Sequence, residues 1–395
     1  MHLRVLSIVG LICSSAAMSA HSFAQDAVRF AGIGFVQSTR VANENLIHAG
    51  RFGTRTELSS PFFDRVSEEI TNVVLGDGQS IVLGLASLAS NESTSLALTF
   101  ESEEVVINRL SEKEYTLKYT LDAPVVVFDV IKQTVLTSYP VRLAATNSYE
   151  YEPTPEDIEK FTNSLYLGSG GDARDSLVIN SFFDAVKILE IQQSYGFNIQ
   201  VKDITLSENA ELYFQKHNID KDFYRQKIAS AFGSILNTEL SVPVLPYIKG
   251  DAIARKISLN FEETGLIDLE IPEATFSIDL GLRGFGTKLI QESELVQRYA
   301  FVVGLTIEVV DEGFATNVTS RSYQLGIPKN FTKAMLVDEV YWHNEAMLAL
   351  MSGIVKQFSS YDRKWAREHV AGEYSDRDLR KEFENVMRDV FEQLN

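Results

Sequence analysis

Two aspartates occupy matching positions in similar segments of the chain and are the first candidates for chemistry. Asp129 lies in FDVIKQTVLTSYPVRL and Asp311 lies in VDEGFATNVTSRSYQL, at an offset of 182 residues. Two such carboxylates could meet across a pseudo-twofold interface as a general acid and base, or as a calcium site. An aspartate just before a hairpin turn more often accepts hydrogen bonds from the backbone of its own turn. We therefore expect both residues to cap turns.

After the first 24 residues, the chain contains only four histidines: His48, His217, His343 and His369. A metal site built of several imidazoles would need most of them to converge. His343 begins a His-Asn-Glu sequence similar to the His-x-Glu of zinc deaminases, but that chemistry needs cysteine ligands and the only cysteine is Cys13. We predict that His343 lies on a helix surface or at the edge of a core.

The common motifs for phosphate binding and nucleophilic catalysis are missing from the sequence. It contains no P-loop, no Gly-x-Ser-x-Gly elbow and no His-Glu-x-x-His. We predict no catalytic residue, no metal site and no cofactor, and we expect a protein that is not an enzyme. An exported hydrolase remains the open alternative.

The first 24 residues have the order of a bacterial export signal. Arg4 precedes an apolar run that reaches Cys13, and small residues lead to Ala24. Lipid attachment generally needs a small residue before the cysteine, whereas Ile12 is large, so a soluble product is favoured over a lipoprotein or a retained anchor. We predict a signal peptide over residues 1–24 and a periplasmic or secreted location, with peripheral outer-membrane association left open.

The charge balance narrows the choice of partner. The chain carries 36 Lys and Arg against 54 Asp and Glu, for a formal net charge of −18. Such a chain is poorly suited to nucleic acid or to anionic lipid head groups. After the signal, no uninterrupted apolar run approaches the roughly 18 residues of a membrane-spanning helix. We therefore predict a protein partner in the cell envelope.

The same two segments suggest an internal repeat. Each follows a strand-like stretch, and further upstream a helix pattern and a short strand precede both copies, at an offset of 162 residues. The alternative is two unrelated segments of similar composition. The positions that are identical at the offset of 182 are Asp129/Asp311, Thr134/Thr316, Thr137/Thr319, Ser138/Ser320 and Leu143/Leu325.

The predicted fold class is α+β: two tandem, possibly duplicated units of mainly antiparallel sheet with packed helices, plus a C-terminal helical segment. In the second hairpin, Gly313 is available for a positive φ. Two prolines, Pro153 and Pro155, and a glycine cluster near residue 170 mark a boundary. The predicted divisions after the signal are a first unit at 25–150, a linker at 151–175, a second unit at 176–360 and a charged amphipathic C-terminal helix at 361–395.

Two groups of side chains are candidates for an interface with a partner. Tyrosine can bury its ring while its hydroxyl stays in water, and Tyr149 and Tyr151 lie near the predicted boundary between the units. The C-terminal helix carries a narrow apolar stripe, which seats an edge helix on its own domain or binds a partner. The members of this stripe are Leu379, Phe383, Val386 and Val390.

One acidic cluster has a simple expected role. Glu101, Glu103 and Glu104 fall within four consecutive residues. We interpret them as a solvated edge that discourages pairing with other strands.

On architecture alone, without a diagnostic motif, the repeated pattern resembles the α/β modules of exported bacterial outer-membrane assembly proteins. This resemblance implies an envelope-associated binding or assembly protein that recognises a macromolecular partner, and no family is assigned from it. The alternative is an exported hydrolase or a protein that binds a small ligand or lipid between the two units. A deep junction pocket with carboxylates of shifted pKa would favour that alternative.

Overall fold

The fold is α+β, with helices packed on three sheets. A computed structural model describes residues 28–37, 46–85, 93–191, 198–247, 256–261, 265–333, 335 and 337–394. The predicted signal peptide lies outside the described residues. None of the helices in these ranges combines the length and the hydropathy that a bilayer-spanning helix needs.

The first eight strands are β1 (Val28–Gln37), β2 (Ile81–Leu83), β3 (Thr94–Phe100), β4 (Ser102–Arg109), β5 (Tyr115–Asp122), β6 (Val125–Asp129), β7 (Thr134–Tyr139) and β8 (Arg142–Tyr149). The later ones are β9 (Ile199–Leu206), β10 (Val244–Leu245), β11 (Lys256–Phe261), β12 (Gly265–Glu270), β13 (Phe276–Glu292), β14 (Val296–Asp311) and β15 (Thr316–Thr332). Strand β14 alternates buried and more exposed residues, whereas β6 is buried throughout.

Most helices begin at a side chain that caps the first turn. They are α1 (Ser60–Ile70), α2 (Pro155–Leu167), α3 (Leu177–Ile188), α4 (Glu208–Lys216), α5 (Lys221–Leu240), α6 (Glu339–Ser359), α7 (Arg363–His369) and α8 (Asp376–Val386). At the start of α2, Thr154 and Asp157 form a reciprocal capping box. A π-helical turn, Met387–Phe391, continues α8.

The largest sheet takes strands from both halves of the chain. Its order is β11-β12-β7-β6-β3-β1-β2, with a further antiparallel pairing between β1 and β11. Helices α1, α2 and α3 cover one face of this sheet, in a core that includes Phe62, Tyr166 and Phe182. Helix α3 and the β11–β12 pair follow residue 175, so these contacts cross the predicted boundary.

The other two sheets are smaller. Strands β4, β5 and β8 form an antiparallel sheet, and the order of the third sheet is β10-β9-β13-β14-β15. The third sheet packs against α4, α5, α6 and α8 in a second core that contains Phe232, Leu305 and Met347. The C-terminal helical segment is therefore part of this core.

The predicted duplication is not confirmed. In the first half, β5 pairs with β4 and β8, while the hairpin that follows it is formed by β6 and β7 of another sheet. In the second half, the corresponding strand, β14, is itself the first strand of the hairpin and pairs with β15. The two segments share turn chemistry but differ in which strands they pair with.

Both candidate aspartates cap turns, as predicted. Asp129 Oδ1 accepts hydrogen bonds from the backbone N–H groups of Ile131 and Lys132, at 2.9 and 2.8 Å. Asp311 Oδ1 accepts from the N–H of Phe314 at 3.2 Å. The prediction for Gly313 is wrong, because Ala315 adopts the positive φ in this turn, at 49°.

The C-terminal part of the chain is not the single helix that was predicted at 361–395. It forms two helices, α7 and α8, because Gly372 between them adopts a positive φ of 95° and Ser375 caps the start of α8. Helix α6 precedes them and begins at Glu339, after β15 ends at Thr332. Asp338 caps α6 by accepting a hydrogen bond from the N–H of Tyr341.

Candidate functional site

The apolar stripe of the C-terminal helix is buried in the molecule itself. Leu379, Val386 and Val390 are fully buried, and Phe383 is 3% exposed. The Phe383 ring lies 5.5 Å from the ring of Phe358 on α6. These four side chains are therefore not accessible to a partner in this fold, because α6 and the third sheet cover them.

The two tyrosines predicted at an interface lie together on the surface beside α2. Their ring centroids are 5.8 Å apart, and Tyr151 is 53% exposed. The Tyr151 hydroxyl donates to Asp157 at 3.2 Å, so it contacts the capping box of α2. Their role in binding a partner stays a prediction.

The acidic cluster that was expected to be solvated is instead engaged inside the molecule. Glu103 accepts from the backbone N–H groups of His48 and Ala49 at 2.7 and 2.8 Å, and from the Tyr119 hydroxyl at 2.9 Å. Burial lowers the pKa of the His48 imidazole. The solvated-edge interpretation is wrong because elements far along the chain cover this strand.

The other two carboxylates of the cluster face α5. Lys227 Nζ donates to both oxygens of Glu104 at 2.8 and 2.7 Å. Ser230 Oγ donates to Glu101 at 2.9 Å. Burial raises the pKa of Glu101 to about 7, and the neighbouring Asp122 carboxylate adds to the shift. Charged groups thus bridge the halves of the chain at this junction.

The junction cavity beside Glu101 is small. It is lined in part by Val126, Gly233 and Tyr247, and its volume is about 30 Å³. That is room for one or two water molecules and not for an organic ligand. The site between the units that the alternative function requires therefore lacks the necessary volume here, although its carboxylate does have a shifted pKa.

A much larger cleft opens beside β13, at the point where its neighbouring strand ends. Strand β9 pairs with β13 only as far as the pair Leu206 and Leu282. Ser207 then caps α4, and its own N–H donates to the Leu282 carbonyl. From Gly284 onward, β13 has a strand partner only on its β14 side among the described pairings. Its other edge faces α4 across the cleft.

This cleft has a volume of about 590 Å³, within the range that binds drug-sized ligands or a short peptide segment. Helix α4 forms one wall and the β13 edge forms the floor. The lining combines apolar, charged and small residues, among them Leu212, Tyr213, Lys216, Arg283, Phe285 and Glu339.

His343 reaches the β13 edge from α6. Its Nε2 lies 3.1 Å from the Gly286 carbonyl oxygen, and its Nδ1 lies 2.8 Å from the Tyr213 hydroxyl. A carbonyl can only accept, so Nε2 carries the proton and Nδ1 accepts from Tyr213. Burial lowers the pKa of His343 and raises that of Tyr213, so both stay neutral. His343 is a buried residue at the edge of the core, as predicted.

Two of the four histidines come together around Tyr213, which the sequence did not indicate. The Tyr213 ring lies 4.4 Å from the ring of His217 and 5.1 Å from that of His343. His217 Nε2 lies 3.5 Å from Glu339, and Lys216 donates to the same carboxylate at 3.2 Å. Within the described ranges, no three His, Cys, Asp or Glu side chains form a group that could hold a metal ion.

One polar atom of the cleft floor has no hydrogen-bond partner among the described residues. The Oγ1 atom of Thr287 is buried and unpaired. Unpaired buried hydroxyls are uncommon and cost free energy, so this atom is available to a ligand that enters the cleft. Sequence reasoning missed the site. Its only signal was the glycine spacing at Gly284 and Gly286, where β13 departs from a regular edge.

Comparisons with known proteins give only weak structural similarity. No protein-family model and no curated protein matches the chain. A Xanthomonas campestris protein of family DUF330 matches with 11% identity and a TM-score of 0.17, over 25% of this chain and 52% of that protein, so the match spans about half the length of that relative.

Two further solved structures match a larger share of the chain. A minor lipoprotein from Acinetobacter baumannii has 8% identity and a TM-score of 0.21, over 45% of this chain and 98% of the lipoprotein. A neuraminyllactose-binding hemagglutinin homolog from Helicobacter pylori has 10% identity and a TM-score of 0.24, over 46% and 97%. TM-scores of this size assign neither fold nor function.

Proposed function

We propose that this is an exported, non-enzymatic binding protein of the cell envelope, which holds an extended segment of a protein partner in the cleft between α4 and β13. The observation that carries the proposal is the free edge of β13. It runs along the floor of a cleft of about 590 Å³, and peptides commonly bind such an edge as an added strand.

The backbone of β13 presents hydrogen-bonding groups to this cleft. The Leu282 carbonyl accepts from the Ser207 N–H, so Leu282 faces away from β14. In a strand, the N–H and C=O groups of one residue point to the same side, and alternate residues share that side. After the register shift between Leu282 and Gly284, the alternation along β14 leaves Phe285 and Thr287 facing the same way as Leu282. Their N–H groups therefore face the cleft and can donate to an added strand.

The side chains around the edge suit a peptide. The rings of Tyr213 and Phe285 stack at 4.5 Å and give an apolar floor. Lys216 and Glu339 place both signs of charge at one end, and the Thr287 hydroxyl supplies an unpaired polar group. Such a surface can bind an apolar side chain together with the polar backbone beside it.

The export part of the proposal rests on the order of residues 1–24, in which Arg4 is followed by an apolar run and by small residues. Cleavage after Ala24 and delivery to the periplasm or the medium are its expected consequences. Mass spectrometry of the N-terminus of the protein recovered from an envelope fraction tests this directly, and an uncleaved Met1 would count against it.

A photo-cross-linking amino acid placed at Leu212 tests the cleft. Leu212 is 56% exposed on the α4 wall, and Phe314, at the opposite turn of the same sheet, is 80% exposed and serves as the matched control. We expect a discrete adduct with an envelope protein from position 212 and none from position 314. No adduct at 212, or the same adducts at both positions, would refute the proposed site.

A second candidate function is the binding of a small ligand in the same cleft, since a volume of about 590 Å³ also fits an organic molecule. The two candidates differ in what the β13 edge does. A peptide needs the edge N–H groups, whereas a small ligand uses mainly the side chains of Tyr213, Thr287 and Glu339. Native mass spectrometry of the protein purified from cells would reveal a small ligand of fixed mass.

A further inference from the structure

The hairpin formed by β13 and β14 extends, with β15 alongside it, far beyond β9 and β10 of the same sheet. Every β13 residue from Lys288 to Glu292 is exposed, and these five residues add about 17 Å of strand at the usual rise. The end of this hairpin is the hairpin tip, defined as residues 288–298. It lies next to the cleft but contributes none of its lining.

The hairpin tip exposes large apolar side chains to water. Leu295 is 77% exposed, Ile290 is 51%, Leu289 is 42% and Val296 is 38%. A soluble protein rarely clusters four such residues on one projection unless the projection binds something apolar.

Cations surround this apolar end. Lys288 and Arg298 flank it on the two strands of the hairpin, and Lys329 and Lys333 lie on the adjoining part of β15 and its end. Only Glu292 and Glu294 oppose them, and Glu292 is paired with Lys333 at 2.9 Å. The tip is therefore locally basic, although the whole chain has a net charge of −18.

Aromatic side chains lie just behind the cations. The rings of Tyr341 and Trp342 are 4.9 Å apart, and Lys329 Nζ lies 4.4 Å from the centroid of the Trp342 ring. Phe331 packs on the same indole at 5.9 Å. The order from the end of the hairpin inward is therefore apolar residues, then Lys and Arg, then half-buried Trp and Tyr. Side chains partition through the surface of a bilayer in this order.

We propose that the hairpin tip docks on a lipid bilayer that carries anionic head groups. The four apolar side chains enter the acyl boundary, and the four cations contact the head groups. The net negative charge of the whole chain disfavours an anionic membrane. Charges farther from the contact than a Debye length of about 8 Å are largely screened, so the basic charge of the hairpin tip determines the local attraction. Docking in this way places the cleft beside the membrane surface, whichever ligand the cleft holds.

Flotation of the purified protein with lipid vesicles tests the proposal. We expect binding to vesicles of phosphatidylcholine mixed with phosphatidylglycerol, weaker binding to phosphatidylcholine alone, and loss of binding as salt is raised. Leu295→Ser and Ile290→Ser each lower the affinity about ten-fold. Phe314→Ser removes an equally exposed ring from the opposite turn and leaves the affinity unchanged.

The charge contribution is measured separately. Lys288→Gln and Arg298→Gln each lower the affinity for the anionic vesicles about five-fold and have little effect on phosphatidylcholine. Unfolding midpoints equal to wild type show that these surface variants are folded. The proposal is overturned if wild type floats with neither vesicle, if the tip variants float as wild type does, or if they lose only a dimer seen by size exclusion, because the tip then binds a second copy.

Discussion

At the scale of single residues, the junction between β4 and α5 shows how much a side chain's setting matters. Glu101 and Glu104 have the composition of a solvated edge, yet Ser230 and Lys227 bind them across the two halves of the chain. Burial lowers the pKa of Lys227, and Glu104 opposes that shift. Each charge here is tolerated because its partner is present.

Removing the cation from this pair is therefore expected to be costly. Lys227→Met leaves Glu104 without its partner and should lower the free energy of unfolding by about 3 kcal/mol. Lys187→Met is the matched control, because both side chains of the Lys187–Asp184 pair are exposed. It should change the free energy of unfolding by less than about 0.5 kcal/mol. Urea unfolding measures both. Equal effects would contradict the buried pairing.

Glu101 predicts a specific pH dependence. Its pKa in the folded state, about 7, lies above its ordinary value of 4.5, so the folded state binds this proton more tightly than the unfolded chain. The contribution of Glu101 to the free energy of unfolding therefore falls as the pH rises from 4.5 to about 7, by about 3 kcal/mol in all.

Variants at this site separate that contribution from the rest of the titration. Glu101→Gln should flatten the profile in this window and unfold at higher urea than wild type above it. Ser230→Ala removes a hydrogen bond that lowers the pKa of Glu101, so the window should move to higher pH. A Glu101→Gln profile that superposes on the wild-type profile would show that Glu101 is not the titrating group.

At the scale of elements, the local sequence pattern predicts that a helix or a turn forms better than it predicts what that element packs against. The turns expected at Asp129 and Asp311 are both present, and each aspartate accepts from backbone N–H groups of its own turn. The stripe on α8 was also correctly predicted as amphipathic. The surface that covers this stripe was not predicted, because the apolar face of a helix has the same spacing whether α6 or another protein covers it.

The burial of α8 makes a stability prediction. Phe383→Ala opens a cavity against Phe358 and should cost about 4 kcal/mol in the isolated protein. Arg380→Ala on the same helix removes an exposed pair with Glu384 and should cost less than about 0.5 kcal/mol. Thermal or urea unfolding distinguishes them. A cost below about 1 kcal/mol for Phe383→Ala would mean that α8 does not pack on the core.

At the scale of the whole molecule, the sequence was sufficient to predict the class of fold but not to predict which strands pair. Alternation and capping residues reveal strands and helices locally. They carry no information on which distant strands pair, and the contact of β11 and β12 with β1 and β7 joins segments that fall in different predicted units. The cleft escaped prediction for the same reason, since β13 is a free edge only because β9 ends at Leu206.

Such interleaving predicts one cooperative unfolding transition. Both tryptophans, Trp342 and Trp365, lie in the second half of the chain, so their fluorescence reports that half alone, whereas far-UV circular dichroism reports all elements. If the shared sheet and the junction charges couple the halves, the two probes give the same urea midpoint. Separate midpoints would show that the halves unfold independently, as the two predicted units imply.

The central claim, that the edge of β13 binds an extended segment, is tested most directly at Thr287, whose N–H faces the cleft and not β14. Thr287→Ala removes the hydroxyl and keeps this N–H, whereas Thr287→Pro removes both groups. With the cross-linker at Leu212, we predict that the envelope adduct is about five-fold or more weaker in Thr287→Pro than in Thr287→Ala. A folded Thr287→Pro protein that forms the adduct as Thr287→Ala does would contradict the account.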